Sequence, residues 1–243
     1  MIVDLSDAHD VELVGGKAAS LGKLLQSKIN TPSGFVITTQ AEFPLAAKIQ
    51  DEILSKFDQT FSTSTKVAVR SSGVNEDGME KSFAGQFDTF LNINRNNLIC
   101  KITEVHTSAR SQRILKYNQG IEASIAVVIQ EMINPSVSGV AFSVNIITGS
   151  RDEIMIEATS GLGEKLVSGL VTPDLFVIKK DSGNILTHET GDHTITLKPK
   201  NLANLTDQIN RIERFYGHPV DIEWAIANGQ IYILQTRPIT VLR

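Results

Sequence analysis

The chain is short of every feature that would tie it to an oxidising compartment, a membrane or a nucleic acid. It has a single cysteine, Cys100, so no disulfide can form within it. No apolar run approaches the roughly 20 residues a bilayer-spanning helix needs. The opening MIVDLSDAHDVELVGG has neither a basic leader nor an apolar signal segment. Basic residues are in deficit, 23 Lys and Arg against 27 Asp and Glu, for a formal charge of −4. That balance argues against general nucleic-acid binding and requires any anion site to be a local gathering of cations. The five histidines, His9, His106, His188, His193 and His218, lack metal-ligand spacing and sit in polar surroundings, which reads as surface placement. Cys100 lies in a helical pattern without a paired base, so a nucleophile role is not expected. Internal repeats and low-complexity linkers are also missing. What remains is a cytoplasmic chain of 243 residues, enough for one large domain or two closely joined subdomains.

Hydrophobic periodicity supplies the elements. Ala18, Leu21, Leu24 and Leu25 recur at helical spacing directly after Gly15-Gly16, and Leu45, Ile49, Ile53 and Phe57 recur every four residues. Residues 97–116 also read as a helix. GFVIT, KVAVR and FDTFLNI read as strands, with the glycine-rich polar stretch SSGVNEDGMEKSFAGQ as a loop. Beyond residue 125 strands dominate: SIAVVIQEM, GVAFSVN, EIMIEAT, DLFVIKK and a terminal hairpin, with one helix near 202–216. Helices early and antiparallel strands late predict an α+β fold of two subdomains, 1–125 and 126–243, with a cleft between them.

Several stretches could handle phosphate. Gly15-Gly16-Lys17 places a lysine beside a helix N-terminus, where backbone N–H groups attract anions, although taken by itself the stretch reads more simply as a flexible helix entry with a solvated lysine. The stretch is not GxxxxGK[ST], because Val11 occupies the position of the first glycine. GLGEKL fails the dinucleotide pattern because Leu166 replaces its last glycine. Arg70 ends an apolar strand before Ser71-Ser72-Gly73, which suits an anion clamp or a salt bridge to Glu76 or Asp77. Gly85 and Thr89 flank a segment whose backbone could close over a ligand. Gln130-Glu131-Met132 ends an apolar strand whose main-chain edge could hold a purine against Met132, and the same pattern fits a core strand. Glu157 is an acid beside the glycine-rich SGLGEKLVSG, with no readable role.

The hairpin VDIEWAIANGQIYILQTRPIT carries Asp221 and Glu223 on one arm, Gln235 and Arg237 on the other. A two-residue Asn228-Gly229 turn would pair Glu223 with Leu234 and scatter the polar groups over both faces. A three-residue loop, Ala227-Asn228-Gly229, with Gly229 in a bulge, pairs Asp221 with Gln235 and gathers Glu223, Gln235 and Arg237 on one face. Such a face suits Mg²⁺ with an adjoining phosphate, or simply the polar side of a surface hairpin.

Taken together and in order, VGGKAASLGKL with TPSGFVITT, VAVRSSGVNED, SFAGQFDTFLN, VVIQEM with SGVAFSVN and IEATSGLGEKLVSGLVTPD, and DIEWAIANGQIYILQTRPIT resemble the nucleotide-binding domain of phosphoenolpyruvate synthase, pyruvate phosphate dikinase and rifampicin phosphotransferase, an ATP-grasp fold. The resemblance runs through nearly the whole chain. It implies that Lys17 and Arg70 hold ATP phosphates and that Gly85 and Thr89 lie in the loop covering them. It also places adenine near Gln130 and Met132, Mg²⁺ on Glu223 and Gln235, and the transferred phosphate on Arg237, so that Lys17, Arg70 and Arg237 form the catalytic set. Family members carry many more residues between the segments resembling FVITTQAEF and VAVRSS. Their swivelling phosphohistidine domain and substrate domain have no counterpart motif here. The implied function is Mg-ATP-dependent phosphoryl transfer to a histidine on a separate protein or directly to a small molecule, without nucleic acid or membrane as partner. The alternative is a non-catalytic ATP-binding or regulatory module. An ATP-grasp ligase forming an acyl phosphate matches these motifs less well.

Overall fold

A computed structural model describes residues 1–74, 89–109, 124–192 and 197–239. They form two compact units, Met1–Met132 and Ile133–Arg243. The expected boundary near residue 125 falls instead after Met132, because the strand Ile125–Glu131 belongs to the first sheet. Among the described residues no helix is long and apolar enough to cross a membrane.

The first unit is a five-stranded antiparallel sheet flanked by helices. Its strands β1 (Ile2–Asp4), β2 (Gly34–Ile37), β3 (Val67–Gly73), β4 (Thr89–Ile93) and β5 (Ile125–Glu131) lie in the order β1-β2-β5-β3-β4. Register fixes the faces: Phe35 pairs with Ile129 and Ile129 with Val69, so these three share a side. That side is a core with Ile53 and Phe57 of α2 (Ala47–Thr60) and Leu98, Ile102 and Val105 of α3 (Leu98–Ala109), all 0% exposed. The opposite side carries Arg70, Ser72 and Gln130 beneath α1 (Val11–Gln26).

Helix α1 starts earlier than its apolar spacing suggests, because the Asp10 carboxylate caps it by accepting from Glu12 N–H at 3.0 Å. It then breaks at Gly15, whose φ of 75° and ψ of 167° are not helical. The glycine pair expected ahead of the helix therefore lies inside it, as a joint between two helical segments.

The second unit is a six-stranded antiparallel sheet built from β6 (Val137–Phe142), β7 (Glu153–Ser160), β8 (Asp174–Lys179), β9 (Ile185–Glu189), β10 (Val220–Ala227) and β11 (Gln230–Pro238), in the order β11-β10-β6-β7-β8-β9. A short helix, α4 (Glu164–Val167), follows β7. Helix α5 (Pro199–Tyr216) buries Leu202, Leu205, Ile209 and Ile212 and packs on β10, whose Ile222, Trp224 and Ile226 are buried. Proline starts α5 and the left-handed Gly217 (φ 73°) ends it, as helix-end chemistry favours.

Candidate functional site: two polar clusters

In the first unit β3 does not stop at Arg70. It continues through Ser71, Ser72 and Gly73, which pair with Val127, Ala126 and Ile125, so the expected loop here is strand and Arg70 lies mid-strand. The Arg70 guanidinium donates to Gln130 Oε1 at 3.3 Å, its cross-sheet neighbour on the same face. Thr89 pairs with Arg70 across the β3–β4 ladder and is exposed. Lys17 is 5% exposed, and its ammonium donates to the Ser71 carbonyl at 2.8 Å. Lys17, Arg70, Thr89 and Gln130 thus gather around one strand. Gly85, Glu76, Asp77 and His193 lie outside the described residues.

The open strand edge expected for a purine is not there. Strand β5 is interior, and the N–H groups of Glu131 and Met132 already donate to Ser33 O and Lys66 O, both at 2.9 Å. The Gln130 Nε2, buried and without a partner among the described residues, is a donor on this strand that a ligand would satisfy.

In the second unit the hairpin brings the polar residues together by a different route from the expected one. Its turn is the two-residue Asn228-Gly229, with φ of 51° and 75°, closing on Ala227 paired with Gln230. The extra residue is Leu234, inside β11, where the register shifts: Trp224 pairs with Ile233, then Glu223 with Gln235 and Asp221 with Arg237. The expectation that Glu223, Gln235 and Arg237 share a face holds, but the bulge that achieves it sits in the strand. The rejected turn length is the real one.

Glu223 also pairs with Val140, and Val140 with Glu157, so one row across four strands reads Glu157, Val140, Glu223, Gln235. Asp221 and Arg237 lie one step along on the same face, away from α5. Arg237 Nη2 donates to Asp221 Oδ2 at 2.8 Å. Asp221 Oδ1 is buried and has no partner among the described residues. Burial pushes the Asp221 carboxyl above its ordinary range; the Arg237 charge opposes this and the Glu223 charge adds to it. Glu157 is also raised, first by burial and then by Asp221.

The donors on this face are oxygens, which hard cations prefer, and one buried carboxylate oxygen, Asp221 Oδ1, lacks a partner among the described residues, although no group of three or more acids, histidines or cysteines there is placed to hold a metal. Sequence reasoning named Glu223, Gln235 and Arg237 as site residues and left out Asp221 and Glu157. Period-two alternation already placed Asp221 beside Glu223, whereas the pairing of β6 with β7 that brings in Glu157 had no local signal.

The remaining expectations concern isolated groups. Cys100 is exposed, and its hydrogen bond to Glu104 pushes the thiol up, against nucleophilic use. His106 is not a bare surface residue, since its ring stacks on Phe43 with centroids 3.6 Å apart. His188 stacks on Phe176 at 4.2 Å.

The family described as "Pyruvate phosphate dikinase, AMP/ATP-binding domain" matches residues 41–206 and 192–243. The chain belongs to this family. An uncharacterized phosphotransferase of Bacillus subtilis, YvkC, is 33% identical over 280 residues, covering 95% of this chain and 34% of that protein. A probable phosphoenolpyruvate synthase of Methanothermobacter thermautotrophicus is 32% identical over 306 residues, covering 96% of this chain and 45% of that protein. The chain therefore spans about a third to under half the length of these relatives. The 306-residue alignment is longer than the 243-residue chain, so that relative has residues this one lacks. The crystal structure of a D-alanine–D-alanine ligase from Bacillus anthracis is similar with a TM-score of 0.52 at 11% identity, covering 97% of this chain and 59% of that one. That likeness shows the fold, ATP-grasp.

Proposed function

We propose that this chain binds Mg-ATP and passes a phosphoryl group to an acceptor, either a histidine on a separate protein or a small molecule. The observation that carries this reading is the acid face of the second sheet, where Glu223, Gln235 and the paired Asp221 and Arg237 stand side by side on β10 and β11. Membership of an AMP/ATP-binding family supports it. A binding-only module has little need for such a set.

The roles follow from charge. Lys17 and Arg70 hold phosphate oxygens, a point charge and a planar fork respectively. Thr89 lies beside Arg70 in the β3–β4 ladder, within reach of the same phosphates. Gln130 and Met132 lie near the adenine, with the Gln130 amide as donor and the Met132 side chain as apolar wall. Glu223 and Gln235 hold Mg²⁺, which when bound neutralises charge on the phosphates. Arg237 contacts the transferred phosphate, with Asp221 fixing its guanidinium plane. Phosphoryl transfer asks the protein mainly for positioning and charge neutralisation, and these residues supply both.

Thermal unfolding with and without Mg-ATP tests the proposal, beside Lys17→Ala and Glu223→Ala. Ligand at about a hundred times its dissociation constant stabilises the native state by roughly 2.7 kcal/mol. Both substitutions are expected to shrink the shift. A wild-type chain with no shift refutes the reading. Binding that persists while Arg237→Ala changes no phosphoryl-transfer activity favours the non-catalytic alternative.

A further inference from the structure

Ser72 is small and polar, two residues beyond Arg70 on the same face of β3, and the sequence offers it as a donor to phosphate. Its hydroxyl is already committed. Ser72 is 0% exposed, and its Oγ donates to Val14 O at 2.8 Å while accepting from Ala18 N–H at 3.0 Å. Those two groups lie on either side of the break at Gly15.

A helix that stops and restarts strands a carbonyl at the end of one segment and N–H groups at the start of the next. With Gly15 in the non-helical position, Ala18 is the third residue of the second segment, whose N–H a capping side chain ordinarily takes. Gly15 has no side chain to do so. A Cβ added there would overlap the Ser72 carbonyl and hydroxyl. The cap therefore comes from another strand: β3 supplies through Ser72 the oxygen that Gly15 lacks. The preceding residue of β3 takes the Lys17 ammonium on its carbonyl. Two consecutive strand residues thus hold the joint of α1 and the lysine that follows it.

We propose that Ser72 is the positioning residue for Lys17, capping the second segment of α1 so that the ammonium is held over β3. The proposal rests on the reading above only in assigning Lys17 to phosphate. Ser71 is the built-in control. Its hydroxyl is buried without a partner among the described residues, and Lys17 uses only its carbonyl, which Ser71→Ala retains.

The experiment compares Ser72→Ala with Ser71→Ala at a temperature well below the melting of both. The first readout is acetylation of the Lys17 amine by acetic anhydride, measured by mass spectrometry against exposed Lys23 of the same helix. Ser72→Ala is expected to raise Lys17 labelling several-fold, whereas Ser71→Ala leaves it unchanged. The second readout is the Mg-ATP dissociation constant, expected to weaken about tenfold in Ser72→Ala, the scale of losing hydrogen bonds to buried groups. In a Lys17→Ala background the same substitution is expected to cost nothing further. Equal labelling in the two serine variants, or an undiminished ATP penalty without Lys17, overturns the proposal. If the wild type binds no Mg-ATP, the phosphate role of Lys17 falls while the labelling still decides what Ser72 does. Should Ser72→Ala not fold, Ser72→Cys keeps the volume with a weak hydrogen-bonding group and is expected to show the same rise in labelling; no rise overturns the proposal.

Discussion

Replacing Gly15 by alanine should be strongly damaging, and the cost can be worked from two observations. The backbone there has φ 75° and ψ 167°, a region open essentially to glycine alone, worth about 1–3 kcal/mol of strain for any other residue. The added Cβ would also overlap the Ser72 backbone in β3, and forcing atoms into a packed site costs about 1–3 kcal/mol more. Lower entropy of the unfolded chain returns about 0.4–1 kcal/mol. The net expectation is a loss of about 3 kcal/mol, a large share of the roughly 5–15 kcal/mol that holds a domain together. Gly217 provides the comparison. It is left-handed at φ 73°, ψ 11° with open space around it, so Gly217→Ala should lose only about 1–2 kcal/mol. Urea unfolding followed by far-ultraviolet circular dichroism reports both units, and fluorescence of the single Trp224 reports the second. Gly15→Ala should lower the midpoint of the dichroism transition. A loss no greater than that of Gly217→Ala would refute the reasoning.

Glu157→Gln should stabilise the second unit at neutral pH. The native carboxyl titrates above its ordinary value, so the folded state holds its proton more tightly and wild-type stability falls as pH rises from the unfolded value through the raised native one. Tryptophan-detected urea midpoints should favour the variant at pH 7.5 and converge with wild type at pH 4; equal midpoints at pH 7.5 would remove the burial argument. Glu223→Gln keeps the shape of a proposed metal ligand and removes its charge. Magnesium titrations of ATP binding should then need higher Mg²⁺ for half-saturation, and an unchanged requirement would detach Glu223 from the metal.

The sequence showed its elements better than their connections. Most strands and helices declared themselves by alternation or four-residue spacing. The wholly exposed β9, ILTHE, did not, because a strand with no buried side has no alternation to read. Ser71-Ser72-Gly73 looked like a loop because small polar residues favour turns locally, yet the long-range ladder with β5 keeps them extended. Asp10 as a helix cap was readable one residue before Val11, but the glycine pair drew the start of α1 downstream. The division of the chain was misplaced for the same reason: the change to strand-rich sequence at 125 is local, whereas the pairing of β5 with β2 and β3 is not. On the acid face, the shared side of Glu223, Gln235 and Arg237 was legible within one hairpin, whereas Asp221 was passed over and Glu157, brought in by two successive strand pairings, gave no local signal.

Leu234 gives the last hairpin one residue of slack. From Gln230 to Ile233 the strand keeps step with β10 in one phase, and from Gln235 to Pro238 in the other. Loss of any one residue between the turn and Gln235 can be taken up by straightening the bulge, which leaves Gln235 opposite Glu223 and Arg237 opposite Asp221. An added residue has no such reserve and would need a second bulge, or it would turn the arginine toward the apolar side. The hairpin is thus tolerant of shortening and intolerant of lengthening, an asymmetry that would show in which length variants of this segment still carry their polar groups on the acid side.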